Sequence, residues 1–215
     1  EKKWQNMFVR KFVTDLLSVV SRFPNVRQVL LCFDSDNYFR KQISPDYKGT
    51  RTKKEQPFYD CLNEMETVLN DCESFNCIKL DGLEADDLLA LSSEFIEDFK
   101  VLVSNDEDIR QLANENTVIY TANTTNLKVF CSRESVVFAL LPTFKDQAEV
   151  IDAEKIFYKK LLLGCTSDNV ERILPKGNGD KKVEQIYLSY TNKHEFRFTI
   201  HDVRKSNLVD LMNVL

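Results

Sequence analysis

Apolar residues recur every three or four positions at Phe8, Phe12, Leu16, Val19 and Val20, which predicts a helix over residues 1–21, stopped by Pro24. Val29 to Phe33 is an unbroken apolar run and predicts a buried strand ending at Asp34. Leu62, Met65, Val68 and Leu69 mark one face of a helix over 58–73, with Met65 as a core filler. A strand through Cys77 and Ile78 follows, ending near Leu80. Ala85, Leu88, Leu89, Phe95, Ile96 and Phe99 again share a helical face, and Phe99 to Val103 reads as a short buried parallel strand. An acidic turn then opens a further helix. Residues 116–122 and 127–131 flank the turn Asn-Thr-Thr-Asn and predict a hairpin at the sheet edge. Glu134 to Leu141 reads as helix ended by Pro142. A later helix stops at Gly164, followed by a loop carrying Asp168, a glycine hairpin at Gly177-Asn178-Gly179, and a last helix from Asp180.

Short apolar strands alternating with amphipathic helices predict an α/β fold whose central, mostly parallel sheet carries helices on both faces. Open parallel sheets place their ligand sites at the carboxyl ends of the strands. Asp34, Glu84, Asp86, Asp87, Asp106 and Asp108 all fall near such ends. So many carboxylates together are unfavourable unless something positive joins them.

The bulk numbers narrow the field. A chain of 215 residues with 43% hydrophobic and 29% charged content suits one large domain, or a domain with an appendage. The division expected is an α/β core over 1–154 and a helical region over 155–215. No run of 18 apolar residues and no signal-like start is present, so the reading is a cytoplasmic protein without a membrane partner. Six cysteines (32, 61, 72, 77, 131 and 165) form no CxxC pair and have two histidines to join them, which predicts reduced thiols rather than a zinc site. Net charge is −5, but it is unevenly spread. Between Tyr38 and Lys54, Arg40, Lys41, Lys48, Arg51, Lys53 and Lys54 face a single acid, Asp46, with Tyr38, Phe39 and Tyr47 interleaved. That mixture suits phosphates and stacked bases; a solvated basic loop is the alternative. Lys176, Lys181 and Lys182 surround the glycine hairpin, whose exposed backbone N–H groups suit a phosphate.

Phosphodiester hydrolysis needs a nucleophilic water and a stabilised leaving oxyanion, and two divalent metals held by hard oxygen ligands can supply both. That chemistry asks for many carboxylates and few histidines. Asp34, Glu84, Asp86, Asp87, Asp106, Asp108 and Asp168 meet the demand from four regions, whereas His194 and His201 sit near the C-terminal end and no Ser-His-Asp set is apparent.

Ordered motifs resemble the 5′ nucleases: flap endonucleases, the 5′-nuclease domain of bacterial DNA polymerase I, and the exonuclease or RNase H enzymes of tailed bacteriophages. They are Phe33-Asp34, Phe39-Arg40 with Tyr47-Lys48-Gly49-Thr50-Arg51, Glu84-Ala85-Asp86-Asp87, Ser104-Asn105-Asp106-Glu107-Asp108, Leu162 to Asn169, and Gly177 to Lys181. The resemblance implies a flap-endonuclease-like (PIN-like) sheet, a basic arch over 38–57 and a C-terminal helix-hairpin-helix clamp. It implies Asp34, Glu84, Asp86, Asp106, Asp108 and Asp168 as metal ligands, with Asp87 and Cys165 just outside them. Lys48, Arg51, Tyr47 and Arg40 become catalytic side chains, the first two at the scissile phosphate and Tyr47 stacked on the terminal base. Lys41, Lys53, Lys54, Lys176, Gly177, Asn178, Gly179, Lys181 and Lys182 become nucleic-acid contacts.

The implied cofactors are two Mg2+ ions, with Mn2+ able to substitute, and K+ at the hairpin. The implied substrates are DNA with a 5′ flap, nick or free 5′ end, or an RNA:DNA hybrid, and replication proteins such as a single-strand-binding protein are implied partners. A phage-encoded member would work in the host cytoplasm. Three departures stand out: the family's first strand, with its Asp, is expected upstream of Glu1; Cys165 stands where an Asp binds the second metal; and Asn178 replaces a small aliphatic, with Ile173 to Lys176 running about two residues longer than the pattern. A noncatalytic nucleic-acid-binding subunit of the same fold is the alternative reading, and an RNA-cleaving PIN-like nuclease a third. The helical wheel pairs Glu84 with Asp87 rather than Asp86, unless Glu84 lies just before its helix.

Overall fold

The computed structural model describes residues 2–37, 39–49, 52, 54–121, 127–134, 136–137, 141–165 and 171–193. The chain opens with α1 (Lys2–Val20), whose Phe8 ring meets Phe58 edge to face at 5.6 Å. Phe58 belongs to α3 (Gln56–Asn70), which starts with Pro57 in its first turn and turns Cys61, Met65 and Leu69 inward. Between them lie β1 (Val29–Cys32) and the single short helix α2 (Phe39–Ile43). β2 (Phe75–Ile78) then pairs in parallel with β1, Leu31 opposite Cys77. The crossover expected of a βαβ unit is thus present.

α4 (Ala85–Phe95) leads to β3 (Lys100–Val103), and β3 pairs in parallel with β4 (Thr117–Thr121). β4 runs antiparallel to β5 (Lys128–Cys131), and β5 parallel to β6 (Ala148–Val150). Three of the four pairings are therefore parallel, as the alternation of strands and helices implies. Among the described residues the strands form two ladders, β1–β2 and β3–β4–β5–β6. The hairpin read at the sheet edge lies inside the four-stranded ladder, because β3 and β6 flank it. β6 is a three-residue strand with Glu149 at its centre, too short to show a period.

All five residues of β4 are buried, which makes it the central strand. Its alternation feeds two cores. Val118 and Tyr120 join Val129, Cys131, Val137, Leu141 and Phe144, covered by Val19 and Phe23 at the end of α1. Ile119 joins Leu102, Ile109, Ala113 and Phe130, covered by Leu89 of α4. Helices thus cover both faces.

Two local readings change. α4 stops at Phe95 because Ile96 adopts an extended conformation (φ −86°, ψ 119°), and the chain must turn back to enter β3. Phe95 and Ile96 consequently face solvent instead of extending the apolar face. Pro142 likewise does more than end a helix, since it opens a 3-10 helix (Pro142–Gln147) that brings Phe144 against Tyr120. The segment after the second acidic turn is also a 3-10 helix, Asp108–Leu112. All six cysteines are free, and no described helix is long and apolar enough to cross a membrane.

α5 (Ala153–Leu163) is N-capped by Asp152, whose carboxylate accepts the Lys155 N–H at 3.0 Å. It packs beside the 3-10 helix at 108–112 and against α6 (Asp180–Lys193), with Leu162, Leu174 and Val183 as their shared core.

Candidate functional site

Two loops leave the ends of β1 and β2 and zip together. Phe33 N–H donates to the Ile78 carbonyl at 2.9 Å, Ser35 N–H to Leu83, and Phe39 N–H to Gly82. Gly82 donates back to Asn37 from a left-handed conformation (φ 85°) that favours glycine. This zipper delivers Asp34 to the first turn of α4, where its Oδ1 accepts the Ala85 N–H at 2.7 Å. A carboxylate there meets the positive end of the helix dipole.

Glu84 is the N-cap of α4, with extended angles (φ −92°, ψ 162°). It lies just before the helix, so the wheel does not fix its direction. Glu84 and Asp87 still meet as N-cap and N3, since Asp87 Oδ2 accepts the Glu84 N–H at 2.9 Å. The Glu84 carboxylate is buried, 4% exposed, and three groups from the basic segment close on it. Lys48 Nζ donates to Oε1 at 2.6 Å, while the Tyr47 hydroxyl and Arg40 Nη1 each donate to Oε2 at 3.1 Å. Arg40 also grips Asp87 with both terminal nitrogens, at 2.7 and 2.5 Å. Burial alone would raise the Asp87 pKa, but the Arg40 fork and the Glu84 amide hold it below its ordinary 3.8. The same Asp87 bond holds the Arg40 guanidinium above its ordinary range despite partial burial.

The basic segment reaches the site through a tight path. Tyr47 N–H donates to Ser44 and Gly49 N–H to the Asp46 carbonyl at 2.9 Å. A Cβ on Gly49 would come within 2.9 Å of that Asp46 oxygen, so the turn requires glycine. Lys48 itself sits at φ 54°, a conformation a lysine adopts only when surrounding contacts hold it.

The remaining carboxylates come from α4 and the end of β3. Ser104 N–H extends the ladder to the Tyr120 carbonyl, and its Oγ accepts the Asp106 N–H at 3.1 Å. Asp106 Oδ1 in turn accepts the Asp108 N–H at 2.9 Å, an Asx turn that orients the Asp106 carboxylate. The Asp86 pKa is raised by burial, then by the charge of Asp106; Lys48 opposes this, and Asp34 and Glu84 add to it. Asp34, Glu84, Asp86 and Asp106 therefore share one field.

Among the described residues no three carboxylate, thiol or imidazole groups already form a cation cage. The donor chemistry nevertheless fits a hard divalent ion. The converging groups are all oxygens, and their mutual repulsion at Asp86 is what such an ion relieves.

Asp108 forms an ion pair with Lys160 of α5. Lys160 Nζ also lies 3.8 Å from Cys165 Sγ, just past the left-handed Gly164 (φ 71°) that ends the helix. Asp168, Arg51 and Lys53 lie outside the described residues. Lys41 and Lys54 are exposed. At the far end Gly177 (φ 96°), Asn178 and Gly179 form the hairpin, with Lys176 and Lys181 exposed and Lys182 half-buried. Sequence reasoning missed Lys160 and Arg172. The first is one lysine of a Lys-Lys pair on an amphipathic helix, and the second sits just before the Ile173 to Lys176 stretch where the family pattern breaks. The aromatic pattern read Tyr47 as a base-stacking residue, and the structure places its hydroxyl on Glu84.

Comparison with known proteins gives the family and the fold. The family described as 5′-3′ exonuclease, N-terminal resolvase-like domain, matches residues 2–139. Bacteriophage T5 D15 protein co-crystallised with metal ions superposes with a TM-score of 0.70 at 19% identity, over 99% of this chain and 83% of that one. A T5 D15 flap endonuclease variant, in a pseudo-enzyme–product complex with DNA and metal ions, gives 0.67 at 20% identity, over 96% and 75%. T5 5′-exonuclease with bound zinc gives 0.64 at 20% identity, over 96% and 76%. These likenesses show the same fold, and the family match spans well over half of the chain. The chain belongs to the 5′–3′ exonuclease family of nucleases.

Proposed function

We propose that this protein is a divalent-metal-dependent 5′ nuclease that hydrolyses phosphodiesters in DNA bearing a 5′ flap, nick or free 5′ end, or in RNA:DNA primers. Magnesium is the working ion and manganese its substitute. The observation that carries the reading is the convergence of Asp34, Glu84, Asp86 and Asp106 where the loops after β1, β2 and β3 meet, with Lys48, Arg40 and Tyr47 facing them. The T5 relatives with bound metal ions and DNA support it.

Asp34, Asp86, Asp106 and Glu84 would hold the first ion, and Asp108 with Asp168 would serve the second. The chemistry such ions supply is activation of water and stabilisation of the leaving oxyanion. The chain's own residues do the rest. Lys48 lies within reach of the carboxylates and carries the positive charge that a scissile phosphate needs as negative charge builds on it. Arg40 fixes Asp87 and one Glu84 oxygen, so the carboxylate wall stays in place when Lys48 turns to substrate. Arg51, next along the same segment, belongs at the neighbouring phosphate. Lys176, Lys181, Lys182 and the hairpin Gly177-Asn178-Gly179 grip the duplex away from the cut.

End-labelled flap, nicked and hybrid substrates, incubated with the intact protein in magnesium, manganese or chelator, test this. Metal-dependent release of 5′ products is expected. A folded intact protein that cuts none of the three in either metal would end the proposal.

A further inference from the structure

The hairpin between α5 and α6 is a turn of Leu174-Pro175-Lys176-Gly177-Asn178-Gly179 whose root is buried and whose tip is open. Leu174 N–H donates to the Leu162 carbonyl at 2.9 Å, and Ile173 and Leu174 are buried beside Val183. A Cβ placed on Gly177 or Gly179 would meet nothing within 4 Å. Such a turn gathers carbonyl oxygens, and crowded carbonyl dipoles call for positive charge. The family resemblance leads to the expectation of a potassium ion there. Three of these oxygens are already engaged. Arg172 Nε donates to the Leu174 carbonyl at 2.8 Å, and its Nη2 donates to the Asn178 carbonyl. The Asn178 side-chain amide donates to the Pro175 carbonyl at 3.1 Å. Leu174, Pro175 and Asn178 thus all give their carbonyls to donors of the chain itself.

We propose that Arg172 is a positioning residue which takes the place of an exchangeable monovalent cation in the hairpin, so that the hairpin keeps its DNA-gripping shape without potassium. The inference rests on reading the hairpin as the duplex clamp. Its physical basis is the guanidinium: a planar, permanently charged fork spans two carbonyls at once, which a lysine ammonium does less well. A tethered cation also has a high effective concentration at its site, against which a free ion must compete. Asn178 fits the same scheme. Where the family pattern has an aliphatic residue, this chain has an amide that bonds a third carbonyl, that of Pro175. The two departures from the pattern, an extended loop at Ile173 to Lys176 that Arg172 precedes and a polar Asn178, then have one cause.

The test measures binding of a fluorescein-labelled 5′-flap duplex by the intact protein in chelator, at constant ionic strength, in potassium chloride or tetramethylammonium chloride. Wild type is expected to bind equally in the two salts, within about twofold. Arg172→Met is expected to bind roughly tenfold more weakly in tetramethylammonium, the scale of one charge-assisted hydrogen bond, with part of that loss recovered in potassium. A merely structural brace would lower the melting temperature alike in both salts and give no potassium rescue. Wild-type binding that needs potassium overturns the proposal, and so does an Arg172→Met protein that binds like wild type in both salts. Should Arg172→Met fail to fold, the wild-type comparison still decides, joined by Arg172→Lys, for which weaker binding with potassium rescue is expected and salt-independent binding counts against it. A Lys181→Ala/Lys182→Ala double variant should weaken binding equally in both salts. If it binds like wild type, the clamp reading fails, and this proposal with it.

Discussion

Lys48 Nζ stands 2.6 Å from Glu84 Oε1, so a residue of the basic segment and a buried carboxylate of the acidic cluster hold each other. Glu84 therefore has two duties in the proposed enzyme. It would join the ligands of the first ion, and it anchors Lys48, Tyr47 and Arg40 against α4. Asp106 makes local turn bonds to Ser104 and Asp108 and is exposed. Both Glu84→Ala and Asp106→Ala should abolish cleavage. Their stabilities should part, because removing Glu84 leaves two cations without their shared anion. Its loss should cost about 1–3 kcal/mol, below the full cost of a broken buried pair because Arg40 is partly solvated. Asp106→Ala should stay within about 1 kcal/mol of wild type. Urea unfolding of both variants, alongside cleavage, checks the contrast; equal stabilities would remove the anchoring role.

The basic segment contains two kinds of cation. Lys48 is half-buried and points at carboxylates, whereas Lys54 is exposed. Lys48→Ala should slow single-turnover cleavage by about 10²-fold, since a charge aimed at the reacting phosphate acts in the transition state. Lys54→Ala should leave that rate near wild type and lower the salt slope of DNA binding by about one. Equal, small effects from both would return the segment to a solvated basic loop.

Much of this site was legible in the sequence for a physical reason. Carboxylates at strand ends can be read wherever the strands can, and these are visible as Val29–Phe33 and Phe99–Val103. The N-cap position of Glu84 was legible only as a conflict on the helical wheel, which its extended backbone resolves. What pairs with what was not legible. Arg40 on Asp87, Lys48 on Glu84 and Lys160 on Asp108 are contacts between residues 36 to 52 positions apart, set by packing rather than by local pattern. The short edge strand β6 and the early end of α4 were hidden for the opposite reason, since each depends on where the neighbouring strand lies.

Asp86 gives a pH prediction. Its pKa is raised, by burial and then by Asp106, so the folded protein binds that proton more tightly than the unfolded chain. Stability from this group is full below the ordinary 3.8 and is lost as pH rises through the raised value. Metal-free protein at neutral pH thus carries a destabilising charge there. Asp86→Asn should raise the melting temperature in chelator by about 1–3 °C, a modest gain because solvent screens a partly exposed group. Divalent ions should stabilise wild type more than the variant. Asp87 runs the other way: its pKa is lowered, so its contribution is present above 3.8 and lost as pH falls through the lower folded value. An Asp86→Asn protein that melts below wild type at neutral pH in chelator would contradict the crowding described here.

Cys165 stands where the family resemblance implies an Asp ligand of the second ion. A thiol is a poor ligand for magnesium, so the second ion should be held weakly and manganese should support a larger fraction of activity. Lys160 changes what a restored carboxylate would meet. Its ammonium pairs with Asp108 and lies 3.8 Å from the Cys165 sulfur. A carboxylate at 165 would therefore arrive beside a positive charge, not in an apolar pocket. Cys165→Asp should fold with a melting temperature within about 2 °C of wild type. It should also need less magnesium for half-maximal cleavage and show a smaller preference for manganese. Adding Lys160→Met removes the compensating charge. The Cys165→Asp/Lys160→Met protein should then melt lower than either single variant in chelator and regain that stability when magnesium is added. Magnesium titrations of cleavage and of melting temperature, run on all four proteins, separate metal tuning from simple packing. A folded Cys165→Asp protein whose magnesium requirement is unchanged or higher, and a double variant that magnesium does not stabilise, would show that residue 165 stands apart from the metal site.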